Sequence, residues 1–470
     1  MKIKNKKKII LRTVAILLLL AAGTGIYLGY VYVVRMKFEP PTSLTETNTN
    51  AAIYQLNELK DVLAQFDDFY TTAERNNLKN TKDYGTYIIP GMKATKGIEL
   101  ESGKVDMCTS MTPQSIAVTS DYLIVSAYCH TKKHSSVLYV IDKVSHEYVK
   151  TVVLPGHSHV GGLAYDSDTH TIWVSGRKAG VSYANSYSLE AIEDYSLDEA
   201  QSPLSFMQMV PLIQLKQNSF MTYRDHALYA GYFSQSGEGV LYKYTLGADG
   251  RLESSKPVES VDKAQITNDD SEKMKEKAAE EAASSASTSL LSESTSLSSS
   301  SSDSVKAKSK AADSSLADSS LKDSSATGSS SATGTLADSS EKKKEEEEVA
   351  PEDTFDPVDF VNMPSLVQGI SFLGSNYLLA AESYGMMESK LRVFENDSSS
   401  TDGYSFTDEN ALVSYTLPDK LECACVADGK VYLVFEASAY AYRVRPMYNI
   451  DRILTLNINQ DIAESRQLIQ

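Results

Sequence analysis

The chain has 470 residues, of which 42% are hydrophobic, and a formal net charge of −17. This acidic balance argues against a nucleic-acid-binding protein, which normally presents a basic face, and we expect no nucleic-acid partner. Four cysteines in so long a chain are too few for a disulfide scaffold. Their even number leaves one or two disulfide bridges open.

The N-terminus has the pattern of a membrane anchor. Residues 13–34 carry no charge and as a helix would span about 30 Å, the thickness of a hydrocarbon core. Basic residues are concentrated in segment 1–12, with only Arg35 and Lys37 just after the apolar run. This asymmetry predicts a cytoplasmic tail and a single-pass type II protein of the cell membrane, with most of the chain extracytoplasmic. A cleaved signal peptide is the alternative, but no clear small-x-small site ends the run.

Residues 35–93 are interpreted as an extracytoplasmic spacer followed by an amphipathic helix. Between about residues 50 and 80, apolar residues recur at three- and four-residue steps, which predicts a helix of roughly 25 residues. This helix would either form a dimerising coiled-coil stalk or pack on the head domain. The repeat is short and irregular, which favours packing.

The fold class is read from residues 114–155. They contain four short runs rich in Val, Ile, Leu and Tyr, separated by turn or polar residues. Four such antiparallel strands make one β-propeller blade. The pattern recurs along the chain with a period of about 40–50 residues, which is typical of propellers. We therefore predict an all-β propeller of five to six four-stranded blades, the sixth formed from the chain ends, with an N-terminal transmembrane helix and a short helical stalk.

A change of composition divides the predicted propeller. Residues 260–355 consist mostly of Ser, Ala, Lys, Asp and Glu, including the runs SSSSSDS and EKKKEEEE. Such a segment buries too little apolar surface to fold, so it is predicted to be disordered. Blade-like sequence resumes after it, which indicates an insertion. The propeller is thus assigned to residues 94–259 and 356–460, and residues 461–470 form a C-terminal tail.

The predicted inner strands share an opening motif. It reads PQSIAV at 113–118, VGGLAY at 160–165, VQGISF at 367–372 and LECACV at 421–426. On these motifs the chain resembles YncE-like and lactonase-like propellers, and membrane-anchored extracellular propellers of Gram-positive bacteria. Lactonase-like propellers hold a divalent cation in the channel with a Glu/Asn/Asp set of oxygen ligands. Here the inner positions are Gln114, Gln368 and Glu422, with one carboxylate among them, so we expect no cofactor. The alternative is a divalent cation in the channel, bound by His157 and His159 with Glu422 or Glu436.

Candidate binding residues follow from the repeat, because equivalent strand ends meet around a propeller axis. Tyrosine rings there would supply stacking faces, and Arg177 would supply a bidentate fork for a polar or glycan-like ligand. The competing interpretation is that these are ordinary blade-end residues that hydrogen-bond loop backbones. The predicted ligand-binding residues are Gln114, Tyr128, His157, His159, Arg177, Tyr232, Gln368, Glu382, Tyr384, Glu422 and Glu436.

We predict that the protein is a binding or scaffolding module at the cell surface, whose partner is an envelope protein or a glycan. The alternative is a lactonase-like or glycan-cleaving hydrolase with paired carboxylates among Glu382, Glu422 and Glu436. The sequence contains no G-x-S-x-G, H-E-x-x-H or phosphate-loop motif, so catalytic residues stay unassigned.

The cysteine pairing also stays open. Cys423 and Cys425 lie two apart on one predicted strand, so they point to the same face and are not expected to pair with each other. Cys108 and Cys129 flank the first blade, which adjoins the last blade when a propeller closes. A bridge across that seam and buried free thiols are both compatible with the sequence.

Overall fold

The computed structural model describes residues 2–36, 50–66, 85–254, 355–396, 406–444, 447–456, 458 and 462. Helix α1 (Lys2–Met36) includes the segment Arg12–Val33, which is long and apolar enough to cross a membrane. None of this segment is buried against the rest of the protein. A signal sequence near an N-terminus can also satisfy these criteria of length and hydropathy.

A short helix, an edge strand and a hairpin precede the blades. They are α2 (Leu56–Leu63), β1 (Tyr87–Ile88), β2 (Thr95–Ile98) and β3 (Val105–Cys108), of which β2 and β3 pair with each other. Sequence analysis did not predict this hairpin.

Five antiparallel four-stranded sheets follow, and they form a five-bladed propeller. The first blade contains β4 (Met111–Val118), β5 (Tyr122–Cys129), β6 (Val137–Asp142) and β7 (Tyr148–Val153). The second contains β8 (Leu163–Asp166), β9 (Thr171–Lys178), β10 (Val181–Ser188) and β11 (Gln208–Pro211), with helices α3 (Leu189–Asp194) and α4 (Leu197–Ala200) between its last two strands. The third contains β12 (Phe220–Arg224), β13 (Ala227–Gly231), β14 (Gly239–Thr245) and β15 (Asp359–Met363). The fourth contains β16 (Val367–Leu373), β17 (Tyr377–Glu382), β18 (Ser389–Glu395) and β19 (Ala411–Leu417). The fifth contains β20 (Leu421–Ala427), β21 (Lys430–Phe435) and β22 (Arg452–Leu456), and its fourth strand is β1.

The ring is closed by strands from both parts of the chain. Strand β1 pairs antiparallel with β22 and becomes the outermost strand of the fifth blade, with Tyr87 opposite Ile453. The first and last strands of the propeller therefore lie in the same blade, the fifth. The described residues contain five blades, the lower of the two predicted numbers. The chain also leaves the third blade after β14 and returns to it as β15. The predicted disordered insertion, apart from residue 355, lies outside the described residues.

Small residues let the inner strands approach each other closely. A Cβ atom added to Gly161 would lie 2.4 Å from the carbonyl oxygen of Ser219 on the next blade. A Cβ added to Gly369 would lie 2.8 Å from the Cα of Cys423. Neither contact is compatible with a side chain, so these two glycines are required by the crowding around the axis.

The segment before β1 packs on the propeller. Leu59 and Leu63 of α2, together with Phe66, are buried in a cluster that includes strands of the fourth and fifth blades. The backbone N–H groups of Ile53 and Tyr54 both donate to the Asp451 carboxylate, at 2.6 and 2.8 Å. The described part of the predicted helix thus packs on the head. Residues 67–84, which the prediction also included, lie outside the described residues.

Candidate functional site

Three of the inner strands carry a β-bulge at the same position. In β4 the pairing passes from Pro113 to Ser115, and in β16 it passes from Val367 to Gly369. In β20 it passes from Leu421 to Cys423. The skipped residues are Gln114, Gln368 and Glu422. A bulge leaves one residue out of the ladder and re-aims its side chain, which is why bulges are common at rims and functional sites.

The bulged residues lie together at one end of the central channel. They line a cavity of about 210 Å³, here called the axial cavity, with the residues that precede β8 and β12. Each blade therefore supplies at least one residue to a ring around the axis. The full lining is Gln114, His159, Gly161, Gln217, Ser219, Phe233, Gln368 and Glu422.

Glu422 and Glu436 form a carboxyl pair beside this cavity. Both side chains are buried, and they hydrogen-bond each other. Glu436 also accepts from Lys420 at 3.1 Å and from the Gln114 amide at 3.3 Å. Burial and the neighbouring Glu436 raise the pKa of Glu422 well above its usual value, whereas Lys420 opposes the rise that burial causes in the pKa of Glu436. The proton of the pair is therefore assigned to Glu422, whose hydroxyl donates to Glu436, and the other Glu422 oxygen is left as an acceptor.

Aromatic rings form the wall next to the carboxyl pair. The Tyr128 ring packs on that of His159, with centroids 4.2 Å apart, and its hydroxyl lies 3.2 Å from Nδ1 of His130. The Lys420 ammonium lies 4.2 Å from the centroid of the Tyr442 ring. Burial, together with the charges of His130 and Lys132, lowers the pKa of His159. His159 is therefore neutral at pH 7 and contributes a ring face and hydrogen-bonding nitrogens without charge.

A larger cavity of about 600 Å³, here called the outer cavity, adjoins the axial cavity. Tyr128 and His159 lie on its wall, and His159 lines both cavities. The loop after the first blade contributes His157, and the end of β9 contributes Arg177 and Lys178. The complete lining is Tyr128, Lys132, Pro155, Gly156, His157, Ser158, His159, Arg177, Lys178, Tyr183, Asn185, Phe206 and Met209.

Two other predicted residues belong to a separate polar cluster in the fourth blade. Glu382, at the end of β17, is fully buried and pairs with Arg392 of β18 at 3.4 Å. The Tyr384 hydroxyl donates to Glu382 at 2.6 Å, and Arg392 also pairs with Asp408. Burial raises the pKa of Glu382 even though Tyr384 and Arg392 oppose the shift. Glu382 and Tyr384 thus make their polar contacts within the fourth blade.

The remaining predicted residue, Tyr232, follows β13 and packs against the apolar cluster shared by the second and third blades. The structure therefore brings together eight of the predicted residues around the two cavities and separates Tyr232, Glu382 and Tyr384 from them. The eight are Gln114, Tyr128, His157, His159, Arg177, Gln368, Glu422 and Glu436.

Sequence analysis missed Lys420, which pairs with Glu436, and Tyr442, whose ring packs against the Lys420 ammonium. Lys420 stands just before the LECACV motif, and its left-handed backbone, with φ of 66°, was not apparent from the sequence. Ser219 was missed because the third blade lacks the common opening motif, although the residue occupies the position of Gln114. Tyr442 lies in an irregular segment after β21, for which the repeat gives no equivalent.

Comparison with known proteins adds little beyond the fold. No family model and no curated protein matches the sequence. Among solved structures, the PQQ-bound aldose sugar dehydrogenase of Streptomyces coelicolor is 10% identical, with 74% of this chain and 79% of that chain covered and a TM-score of 0.32. The propeller domain of the Trilobed protease from Pyrococcus furiosus is 8% identical, with 69% and 79% covered and a TM-score of 0.26. The sheet order described above, rather than these distant similarities, is the evidence for the propeller.

Proposed function

We propose that this protein is a membrane-anchored binding module that recognises an anionic glycan of the cell envelope in the two adjoining cavities. The observation that carries the proposal is the charge of the outer cavity. Its lining includes Lys132, Arg177 and Lys178 and contains no carboxylate, in a chain with a net charge of −17. A local basic site on an acidic protein attracts anions selectively.

The cations of the outer cavity are available to a ligand. Lys132, Arg177 and Lys178 are exposed, and within the described part of the chain none of them forms an ion pair with an acidic side chain. Arg177 is held through its backbone, whose N–H donates to the Ser158 hydroxyl at 3.1 Å. A planar guanidinium in such a position binds a carboxylate or a phosphate through two hydrogen bonds.

The neutral polar groups of the axial cavity suit the hydroxyl groups of a sugar. Gln114 and Gln368 carry amides, and Glu422 offers an oxygen that accepts a hydrogen bond. The Tyr128 ring and the Phe206 ring in the outer cavity offer flat apolar faces against which a sugar ring packs. The cavity volume of about 600 Å³ lies within the range of about 300–1,000 Å³ typical of small-molecule sites.

The carboxyl pair does not favour the alternative of a glycoside hydrolase. Retaining and inverting glycosidases need their two carboxyl groups about 5–5.5 Å or about 6.5–9.5 Å apart. Glu422 and Glu436 instead interact with each other, and Glu436 also accepts from Lys420 and Gln114. Carboxyl groups engaged within the protein in this way favour a binding role.

The cellular location is part of the same proposal. The excess of Lys and Arg before the apolar segment of α1, relative to the residues after it, favours a cytoplasmic N-terminus. The propeller would then face the envelope, where anionic polysaccharides are found. Protease added to intact cells stripped of their wall is expected to remove the propeller, and complete protection of the propeller would contradict this orientation.

The binding test uses the full-length chain in detergent. Three oligosaccharides of equal length are compared by calorimetry: one with carboxylates, one with phosphates, and one neutral. We expect both anionic sugars to bind and the neutral sugar to bind at least tenfold more weakly. The R177A/K178A variant is expected to lose tenfold or more in affinity, because a hydrogen bond to a charged group contributes about 1.5–3 kcal/mol.

The control is R251A, which removes an arginine from an exposed turn outside both cavities. It should bind as the unaltered protein does. Equal binding of the neutral and anionic sugars, or equal losses in R251A and R177A/K178A, would contradict the proposal. The anionic sugar with the higher affinity shows whether the site prefers a carboxylate or a phosphate.

A further inference from the structure

Two cysteines and a histidine converge at the junction between the β2–β3 hairpin and the first blade. Cys108 ends β3, Cys129 ends β5, and His134 lies in the loop between β5 and β6. One ligand atom from each lies within 4.8 Å of the others. Cys108 and Cys129 are completely buried, and His134 is 7% exposed.

The imidazole of His134 is oriented as in a metal site. Its Nδ1 points to Cys129 Sγ at 3.6 Å, and its Nε2 faces an oxygen of Asp106 at 3.7 Å. Metal-binding histidines generally present one nitrogen to the ion and direct the other to a carboxylate, which fixes the ring. Asp106 lies on β3, two residues before Cys108, so one strand supplies both a sulfur and the carboxylate.

The distance between Cys129 and His134 matches an edge of a tetrahedral site. Zn–S bonds of about 2.3 Å and Zn–N bonds of about 2.0–2.1 Å put neighbouring ligand atoms about 3.5–3.8 Å apart. The distance from Cys129 Sγ to His134 Nδ1 is 3.6 Å. The Ser110 hydroxyl lies 3.8 Å from Cys108 Sγ and 3.4 Å from Cys129 Sγ, so it faces the position that a fourth ligand would take.

We propose that Cys108, Cys129 and His134 bind a thiophilic transition-metal ion, with Zn²⁺ as the ion that best suits this ligand set. Binding replaces the two S–H protons, which pass to solvent, so the ion and the two thiolates together are neutral. Neutral imidazole supplies the third bond. No oxidant or reductant is needed.

The site would add a metal crosslink to the backbone hydrogen bonds that join the hairpin to the first blade, such as the one from the Ser135 N–H to the Ile98 carbonyl. The hairpin lies outside the five blades, and Cys108 is its last strand residue before the chain enters β4. An ion held by both elements would fix the hairpin on the first blade. A disulfide between Cys108 and Cys129 would connect the same elements, but it would not explain why His134 lies between Cys129 and Asp106.

The first experiment measures metal in the full-length protein, purified in detergent with a reductant and dialysed after addition of Zn²⁺. We expect about one zinc per chain by elemental mass spectrometry. Replacing zinc by Co²⁺ should produce thiolate-to-cobalt charge-transfer bands and the intense visible bands of a tetrahedral site. This spectrum is measured on the unaltered protein, so it does not depend on whether variants fold.

Variants then identify the ligands. C108S, C129S and H134A should each retain less than a tenth of the zinc, whereas C425S, which alters a cysteine of the fifth blade, should retain all of it. D106N is expected to weaken zinc affinity about 10–100-fold, as loss of a carboxylate behind a histidine ligand does. A chain without zinc and without the cobalt spectrum would overturn the proposal. A disulfide between Cys108 and Cys129 in protein isolated from cells without reductant, found by peptide mass spectrometry, would also overturn it.

Discussion

The carboxyl groups of Glu422 and Glu436 hydrogen-bond each other beside the axial cavity. Glu422 is the bulged residue of β20, and Glu436 directly follows β21, so the bulge directs one carboxyl toward the other across neighbouring strands. Two ionised carboxylates would repel each other there, and burial would increase the cost. The pair therefore keeps a proton, and Lys420 stabilises the carboxylate of Glu436.

This pair predicts how stability depends on pH. The folded-state pKa of Glu422 lies above the ordinary value of 4.5, so the folded protein binds more protons than the unfolded chain as the pH rises from 4.5 to the raised value. Stability should fall as the pH rises through that window. Urea unfolding, followed by fluorescence of the buried and only tryptophan, Trp173, should show lower stability at pH 8 than at pH 5.

Glu422→Gln tests whether the pair causes this fall. Glutamine keeps a neutral donor and acceptor but does not titrate, so the variant should be more stable than the unaltered protein at pH 8 and should lose less stability between pH 5 and pH 8. Glu147→Gln, at an exposed position, is the matched control and should leave the pH profile unchanged. Identical profiles for Glu422→Gln and the unaltered protein would contradict the assignment of the proton to this pair.

The buried ion pair of the fourth blade gives a second prediction. Arg392 is 3% exposed and pairs with the fully buried Glu382. Arg392→Met leaves the Glu382 carboxyl without its cation, and breaking a buried pair in this way costs about 3–5 kcal/mol. The double variant R392M/E382Q should recover much of the loss, because no unpaired charge stays buried. Urea unfolding at pH 7 measures both, and equal stability of the two variants would contradict the pairing.

Closure of the ring gives a third prediction. Ile89, just after β1, is completely buried, and its N–H donates to the Asp451 carbonyl at 3.0 Å. Ile89→Ala should lower the free energy of unfolding by about 2–5 kcal/mol through lost apolar contacts and a cavity at the closing strand. Ile213→Ala removes the same atoms from a side chain that is 56% exposed, and it should change stability by no more than about 0.5 kcal/mol. Similar effects of the two changes would mean that β1 contributes little to closure.

The repeat made much of this fold predictable. Inner strands begin with similar motifs, so Gln114, Gln368 and Glu422 were predicted at equivalent positions, and the structure places them in one ring. The sequence did not reveal that these residues are bulged, because a bulge depends on the pairing register with the second strand. Glu382 was predicted from the end of a second strand, and its partner Arg392 was not apparent because it comes from a neighbouring strand outside the motif.

Features without a repeat could not be predicted from periodicity. Strand β1 has two residues, Tyr87 and Ile88, too few for an alternating pattern. The cluster of Cys108, Cys129 and His134 depends on how the β2–β3 hairpin folds back on the first blade, and the strands of that hairpin have only four residues each. Sequence analysis therefore considered Cys108 and Cys129 for a bridge to the last blade, whereas the structure brings them next to each other.

The last prediction concerns the long connection within the third blade. Strands β14 and β15 are hydrogen-bonded neighbours, with Gly239 opposite Met363, although residues 255–354 separate the described parts of the chain between them. Replacing residues 255–354 with a Gly/Ser linker of about ten residues shortens the loop about tenfold. This lowers the entropic cost of closing it by about 2 kcal/mol. The shortened protein should therefore unfold at a slightly higher urea concentration, with the same dependence on urea.

The composition of residues 260–355 is the reason to expect no lost core contacts, because Ser, Ala, Lys, Asp and Glu dominate it. A scrambled version of the segment with its length and composition kept is the control and should match the unaltered protein in stability. A marked loss of stability in the shortened protein would mean that the segment packs on the propeller. If the scrambled control were also destabilised, specific residues of the segment, rather than its length, would hold the third blade together.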